Sequence, residues 1–125
     1  MTTPLAIVFY ESLLPGSQLV NRLQDLGYRV VSHTQSASLV AQAKELRPFL
    51  VVIDLTSQRS DLCVIIRQLK QGPETSHIPV LAFARDSQED LRERARAAGA
   101  TLVAGDVAIL AHLPELLDHV LEVGL

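Results

Sequence analysis

The sequence predicts a doubly wound α/β domain, a single five-stranded parallel sheet flanked by five helices. Short apolar runs alternate with longer segments of helical period throughout the 125 residues. The run Phe49–Ile53 is apolar at every position, which is typical of a strand covered on both faces. The connections between the predicted elements are short. Strands that alternate with helices in this way favour parallel pairing, with helices packed on both sides of the sheet.

Composition indicates one globular domain over residues 1–125. The chain is 48% hydrophobic and 20% charged, which is typical of a folded protein and not of a disordered one. Its net charge of −3 gives no electrostatic reason to expect nucleic acid or an acidic membrane as a partner. Cys63 is the only cysteine, so no intrachain disulfide can form. With no recognisable address signal, we expect a cytoplasmic protein.

Glycine, proline and capping residues set the predicted boundaries. Strands are predicted at Leu5–Tyr10, Tyr28–Ser32, Phe49–Ile53, Ile78–Phe83 and Ala100–Ala104. Helices are predicted from about Pro15 to Gly27, after Ser36 or Ser38 to Pro48, from Asp61 to Gly72, from a capping-box pattern at Ser87–Asp90 to Gly99, and from about Leu113 onward.

Asp54 stands directly after the apolar run of the third strand. In open α/β sheets the carboxyl ends of the strands meet at the edge where ligands bind. A carboxylate at this edge can serve as an acceptor, a metal ligand or a base. The sequence therefore makes Asp54 the first candidate for a functional residue.

The order, length and spacing of these elements resemble the receiver domain of bacterial response regulators, the CheY-like fold. The resemblance covers essentially the whole chain. It is carried by the motifs PFLVVID (48–54), HIPVLAF (77–83) and ARAAGA (95–100). It implies the sheet order 2-1-3-4-5 of flavodoxin-like and CheY-like domains. It also implies that Asp54 occupies the position that accepts a phosphoryl group from a histidine kinase.

The resemblance further implies a Mg²⁺ site formed by two acidic residues after the first strand and the acceptor carboxylate. Here those two positions are Tyr10 and Glu11, so that one acid is replaced by a phenol. Glu11 and Asp54 remain as metal ligands, and we expect either no cofactor or weakly bound Mg²⁺. Tyr10 either donates a hydrogen bond to Asp54 or fills the space that a smaller acid leaves.

The remaining switch positions of the receiver pattern are also replaced. Ala84 stands where a serine or threonine binds the phosphoryl oxygen, and Val103 stands where an aromatic side chain moves on activation. Asp106 stands where a lysine pairs with the phosphoryl group, and the chain's lysines are Lys44 and Lys70. A phosphorylated aspartate carries about two negative charges. At about 5 Å and an effective dielectric of about 20, each repulsion from Asp106 is worth roughly 3 kcal/mol.

Asp106 admits two interpretations. With Glu11 and Asp54 it would complete a set of three carboxylates that can hold Mg²⁺ or Ca²⁺. Alternatively, Asp106 faces solvent or caps the following turn, and we favour this second interpretation.

Two features predict a contact surface for a protein partner. Arg92 and Arg96 are four residues apart on the fourth helix, although the same charges also suit a solvated helix face. The segment Val107–Leu113 is unusually apolar for a loop, which indicates either packing onto the core or an exposed contact patch. In receivers, the face of the fourth helix, fifth strand and fifth helix commonly mediates dimerisation. The predicted contact residues are Arg92, Arg96, Val103, Ile109 and Leu110.

The sequence therefore favours a pseudo-receiver, a signalling module that contacts proteins and depends little on aspartyl phosphorylation. The partner is either another signalling protein, such as a histidine kinase, or a second copy of the chain. The alternative is a phosphoryl-accepting receiver of a two-component relay that uses Asp54 and Mg²⁺. A cofactor-binding domain of flavodoxin-like architecture is not favoured, because no glycine-rich phosphate loop follows the first strand. An enzyme is not expected either, because no Ser, His and Asp of a hydrolase fall together at predicted strand ends.

Overall fold

A five-stranded parallel sheet forms the centre of the molecule, in the order β2-β1-β3-β4-β5. The computed structural model describes residues 4–11, 13–33, 35–56 and 61–124. The strands are β1 (Leu5–Phe9), β2 (Arg29–His33), β3 (Leu50–Asp54), β4 (Val80–Ala84) and β5 (Leu102–Gly105). The predicted strand order and the parallel pairing are both confirmed.

Helices cover both faces of this sheet. α1 (Leu13–Asp25), α5 (Asp106–Ala111) and α6 (Leu113–Gly124) contribute to the core on one face, whereas α2 (Leu39–Leu46), α3 (Leu62–Gln71) and α4 (Glu89–Ala98) contribute to the core on the other. A short 3₁₀ turn, Ser36–Ser38, precedes α2. Every residue of β3 and β4 is buried, because each of these strands has a neighbour on both sides and a helical layer on both faces.

The described residues form one helix more than the five predicted. The apolar stretch after β5 is α5, so the predicted fifth helix is α6. Ile109 and Leu113 are both fully buried, whereas Val107 is 66% exposed. The stretch is therefore a short amphipathic helix. Of the two alternatives that the sequence left open, packing onto the core and an exposed contact patch, the structure mainly shows packing onto the core.

Most predicted helix ends are confirmed, and one is wrong. The Asp61 carboxylate accepts a hydrogen bond from the Cys63 amide at 3.1 Å and caps α3. The predicted capping box at Ser87 does not form, because Gln88 occupies the N-cap position of α4. The Gln88 Oε1 instead accepts a hydrogen bond from the Arg85 amide at 3.1 Å, which closes the turn after β4.

Strand boundaries differ from the prediction by one or two residues. Phe49 lies before β3 and is 51% exposed, so it is not a buried strand residue. Asp54, in contrast, is the last residue of β3. Cys63 is buried in the core, as predicted. No helix in the described ranges is long and apolar enough to span a membrane.

Candidate functional site

The carboxyl ends of four strands bring the predicted site residues to one edge of the sheet. Tyr10 and Glu11 follow β1, and Asp54 ends β3. Ala84 ends β4 and pairs in register with Gly105, the residue that precedes Asp106. Because all strands run in the same direction, residues far apart in the chain are gathered at this edge.

The side chain of Asp54 is buried and bonded to its own loop. Its exposed fraction is 1%. One carboxylate oxygen, Oδ1, accepts a hydrogen bond from the Thr56 amide at 2.9 Å and another from the Thr56 hydroxyl at 2.6 Å. The next amide, that of Leu55, donates to the Phe83 carbonyl at 2.8 Å and keeps this loop against β4. The acceptor position is therefore covered by the protein itself.

Burial raises the pKa of the Asp54 carboxyl above its ordinary value of 3.8, because it removes the charged form from water. The two hydrogen bonds from Thr56 act in the opposite direction and lower the pKa. The smaller effects are the Glu11 charge, which raises the pKa, and the Arg85 charge, which lowers it. The ionised form of Asp54 is thus less favourable here than in water, in spite of its hydrogen bonds.

Tyr10 packs towards α1. A methyl group added to Gly16, in the first turns of α1, would overlap the Tyr10 ring and lie 2.9 Å from the Tyr10 Cβ. The side chain of Tyr10 is half-buried against the core cluster on the α1 face. Of the two interpretations of Tyr10, these contacts favour the filling of space over a hydrogen bond to Asp54.

The groups at the other switch positions offer little to a phosphoryl group. Ala84 is fully buried and has no donor. Asp106 is the first residue of α5 and half-buried. The lysine closest to β4 in the sequence, Lys70, cannot replace the missing cation. Its Nζ donates to the Ile78 carbonyl at 2.7 Å, before the start of β4 and therefore at the opposite edge of the sheet.

The three carboxylates of Glu11, Asp54 and Asp106 do not form a metal-binding set. Among the described residues, no group of three or more His, Cys, Asp or Glu side chains is arranged to hold a metal ion. Asp106 is also not among the charges that affect the pKa of Asp54, whereas Glu11 is. Only the pair of Glu11 and Asp54 is brought together by the fold.

Two residues of the site were missed by reasoning from the sequence. Thr56 holds the Asp54 carboxylate, and the pattern Asp-x-Thr directly after a strand is a signal for such a local bond. Arg85 follows the end of β4, the strand next to β3, and its charge acts on Asp54. Its place directly after a strand next to β3 is the signal in the sequence that could have indicated the site.

Comparison with known proteins places this geometry in a known architecture. No protein-family model matches the chain, and no curated protein matches it in sequence. Solved structures do match. A response-regulator candidate from Chloroflexus aurantiacus J-10-fl has a TM-score of 0.88 at 16% identity, over 97% of this chain and 99% of that one. The chain has the fold of a receiver domain.

Two further receiver structures support this assignment. The receiver domain of a sensor histidine kinase from Pseudomonas aeruginosa PAO1 has a TM-score of 0.85 at 17% identity, over 97% of this chain and 99% of that one; it carries a magnesium ion in its active-site cleft. The chemotaxis response regulator CheY4 of Vibrio cholerae has a TM-score of 0.76 at 17% identity, over 92% of this chain and 99% of that one. At these identities the likeness is one of fold.

On the predicted contact face of this receiver fold, two of the five residues are buried. Val103 is 7% exposed and Ile109 is fully buried, because both side chains pack into the core. They offer no side-chain surface to a partner, and the prediction is wrong for them. Leu110 is half-buried and Arg96 is exposed, so both remain available.

The two arginines of this face differ in their surroundings. Arg92 is half-buried and donates from Nη2 to the Asp86 carbonyl at 2.9 Å, so it is held against the loop after β4. Arg96 forms an ion pair with Glu93 on the same helix. Surface pairs of this kind contribute little to stability, so Arg96 can exchange its partner at small cost.

Proposed function

We propose that this receiver-fold chain is a pseudo-receiver, a signalling module that acts through protein–protein contacts with little or no dependence on phosphorylation of Asp54. The observation that carries the proposal is the state of Asp54, which is 1% exposed and bonded through Oδ1 to Thr56. A carboxylate that is to attack a phosphoryl donor needs an accessible oxygen and a site that stabilises the added charge.

The described residues around Asp54 supply little of that stabilisation. Phosphorylation adds charge to a group whose ionised form is already disfavoured by burial. Ala84 has no hydroxyl to donate, and a missing hydrogen bond to a charged group costs about 1.5–3 kcal/mol. Among the residues that the structure describes, Arg85 is the one cation acting on Asp54, and the negative charge of Glu11 acts against it.

A phosphoryl-accepting receiver is the second candidate, and a specific observation favours it. Glu11 and Arg85 both act electrostatically on Asp54, so an acid and a base flank the acceptor position. Glu11 and Asp54 would be the protein ligands of a Mg²⁺ ion, which commonly uses one or two carboxylates together with phosphate oxygens. Bound there, the ion would neutralise charge on a transferring phosphoryl group.

Beryllofluoride with Mg²⁺, which mimics the phosphoryl group on an aspartate, separates the two candidates. We expect no saturable change in the amide NMR signals of Asp54, Thr56 and Arg85 at millimolar reagent. The matched control is a receiver domain with both first-strand acids and the fifth-strand lysine, which must respond under the same conditions. Saturable changes at Asp54 that vanish in Asp54→Asn would overturn the pseudo-receiver and support the relay.

The proposed contact face consists of α4, β5 and α6, together with the exposed side of α5. β5 is an edge strand, so its outer side has no neighbouring strand in the sheet. Arg96 and Leu110 remain from the predicted residues, and Val107, which is 66% exposed, joins them. The partner proposed for this face is a signalling protein or a second copy of the chain.

A further inference from the structure

A cleft of about 500 Å³ lies at the amino-terminal edge of the sheet, opposite to Asp54. The start of β1, the start of β2 and the segments leading into β3 and β4 line it, and Leu121 of α6 contributes from the side. Its volume is within the range of pockets that bind small molecules. A strand of five residues separates the two edges, so this cleft is distinct from the site at Asp54.

Large apolar side chains face the solvent in this cleft. Phe49 is 51% exposed and Leu46 is 36% exposed, and both belong to the lining. They are two of the five large hydrophobic side chains that are exposed in the described part of the chain. Apolar area of this kind, concentrated in a concave site, is typical of a surface that is covered by a ligand.

The polar groups of the cleft are cationic or neutral donors. Arg29, Arg47 and His77 contribute to the lining, and no carboxylate is among the described residues that form it. This local excess of positive charge is opposite in sign to the net charge of −3 of the whole chain. Two arginine residues beside an apolar wall complement a ligand with an apolar body and an anionic head.

The backbone of Arg47 gives an independent indication. α1, α2 and α4 are each followed by a residue with positive φ, and two of the three are glycines, Gly27 and Gly99. The third is Arg47, with φ of 48°, the one such non-glycine residue among those described. A left-handed conformation is unfavourable for a residue with a side chain, and glycine would remove the strain. This unfavourable conformation is kept at a residue that lines the cleft.

We propose that this cleft binds a small amphipathic anion. Its apolar body would lie against Phe49, Leu46 and Leu121, and its anionic head would contact Arg47 and Arg29. The proposal is independent of phosphorylation, because the site lies at the other edge of the sheet. A negative result with beryllofluoride therefore leaves it unchanged, and its own failure leaves the pseudo-receiver unchanged.

The test is a titration of the full chain with submicellar dodecanoate, followed by amide NMR. We expect saturable shifts at Arg47, Phe49 and His77 and none at Asp54. Dodecyltrimethylammonium, which has the same chain and a positive head, is the matched ligand control and should bind at least about tenfold more weakly. Equal binding of both detergents, or dodecanoate shifts elsewhere only, would overturn the proposal.

The variant Arg47→Gly makes the test specific. It should raise the thermal midpoint, since it relieves the left-handed strain, and weaken dodecanoate binding by about tenfold through loss of a charged contact. Weaker binding by a more stable protein cannot be attributed to misfolding. Phe49→Ser should weaken binding as well, whereas Arg67→Gln, on the exposed surface of α3, should leave the affinity unchanged. Unchanged affinity in Arg47→Gly would contradict the proposal.

Discussion

Burial and hydrogen bonding have opposite effects on the pKa of Asp54. Burial disfavours its ionised form, whereas two hydrogen bonds from Thr56 favour that form, and the burial effect is the larger. The hydrogen bonds need only an acceptor oxygen, which a neutral amide also offers. The negative charge of Asp54 is therefore not required by its local structure.

This balance predicts that Asp54→Asn stabilises the protein at neutral pH. The amide keeps the acceptor for Thr56 and removes the cost of a buried charge. The gain should be about 1.4 kcal/mol for each unit by which the folded-state pKa is raised. Because its pKa is raised, Asp54 takes up its proton at a higher pH in the folded wild type than in the unfolded chain. The destabilisation of the wild type by this buried charge is therefore lost as the pH falls through the raised pKa.

Urea unfolding of both proteins at several pH values measures this difference. The advantage of Asp54→Asn should be largest above the raised pKa and should shrink as the pH falls towards 3.8, the ordinary value. Asp54→Asn that is less stable than the wild type at neutral pH would show that the ionised carboxylate is stabilised by contacts stronger than those of Thr56.

The contact between β1 and α1 depends on a glycine in the first turns of the helix. Gly16 is buried, and the Tyr10 ring lies where a side chain at this position would be. The phenol at a position where the receiver pattern has an acid is thus accommodated by α1. This pairing of a large residue with a glycine explains why Tyr10 packs on the helix.

Gly16→Ala should destabilise the protein, although the same change in an unobstructed helix stabilises by about 1 kcal/mol. Overlap of the new methyl group with Tyr10 should cost about 1–3 kcal/mol. The control is the same change in a Tyr10→Ala background, where the overlap is absent and Gly16→Ala should stabilise. Urea unfolding of the four proteins gives the coupling energy, and additive effects would contradict the contact.

α5 is a helix of only six residues in which apolar side chains lie on both the buried side and the exposed side. Ile109 faces the core and Val107 faces solvent within six residues. The apolar composition of the segment was visible in the sequence, but it did not distinguish packing from exposure. In the folded protein, one side of α5 packs onto the core and the other side is exposed to solvent.

Across the whole molecule, two apolar clusters lie on the two faces of one sheet. Cys63 belongs to the cluster on the α3 face and is 5% exposed. Burial raises the pKa of its thiol, with a smaller contribution from the Asp61 charge, while Arg94 and Arg67 lower it. A thiol with little exposure and little thiolate is a poor nucleophile in the folded state.

Reaction of Cys63 with a soluble disulfide reagent should therefore report opening of this core. We expect slow labelling of the native chain, and a rate that rises with urea in parallel with the unfolding transition. The unfolded chain in high urea is the control for intrinsic reactivity. Rapid labelling without denaturant, with native circular dichroism retained, would show that the α3 face opens locally.

Much of the architecture followed from local signals along the chain. The buried run Leu50–Ile53, the cap at Asp61 and the turn at Gly27 each depend on neighbouring residues, so that periodicity and capping chemistry revealed them. The same is true of the position of Asp54 at a strand end. The sequence also showed that the hydroxyl and the lysine of the receiver pattern are missing, because Ala84 and Asp106 stand at their positions.

Other features depend on contacts between distant residues, for which the chain carries no local signal. The opposing charges of Glu11 and Arg85 act on Asp54 only because β1, β3 and β4 end side by side. Burial of Val103 and Ile109 depends on helices packing over them, and it removed both from the contact face. The cleft lined by Arg47 and Phe49 likewise exists because five separate segments of the chain meet at the amino-terminal edge of the sheet.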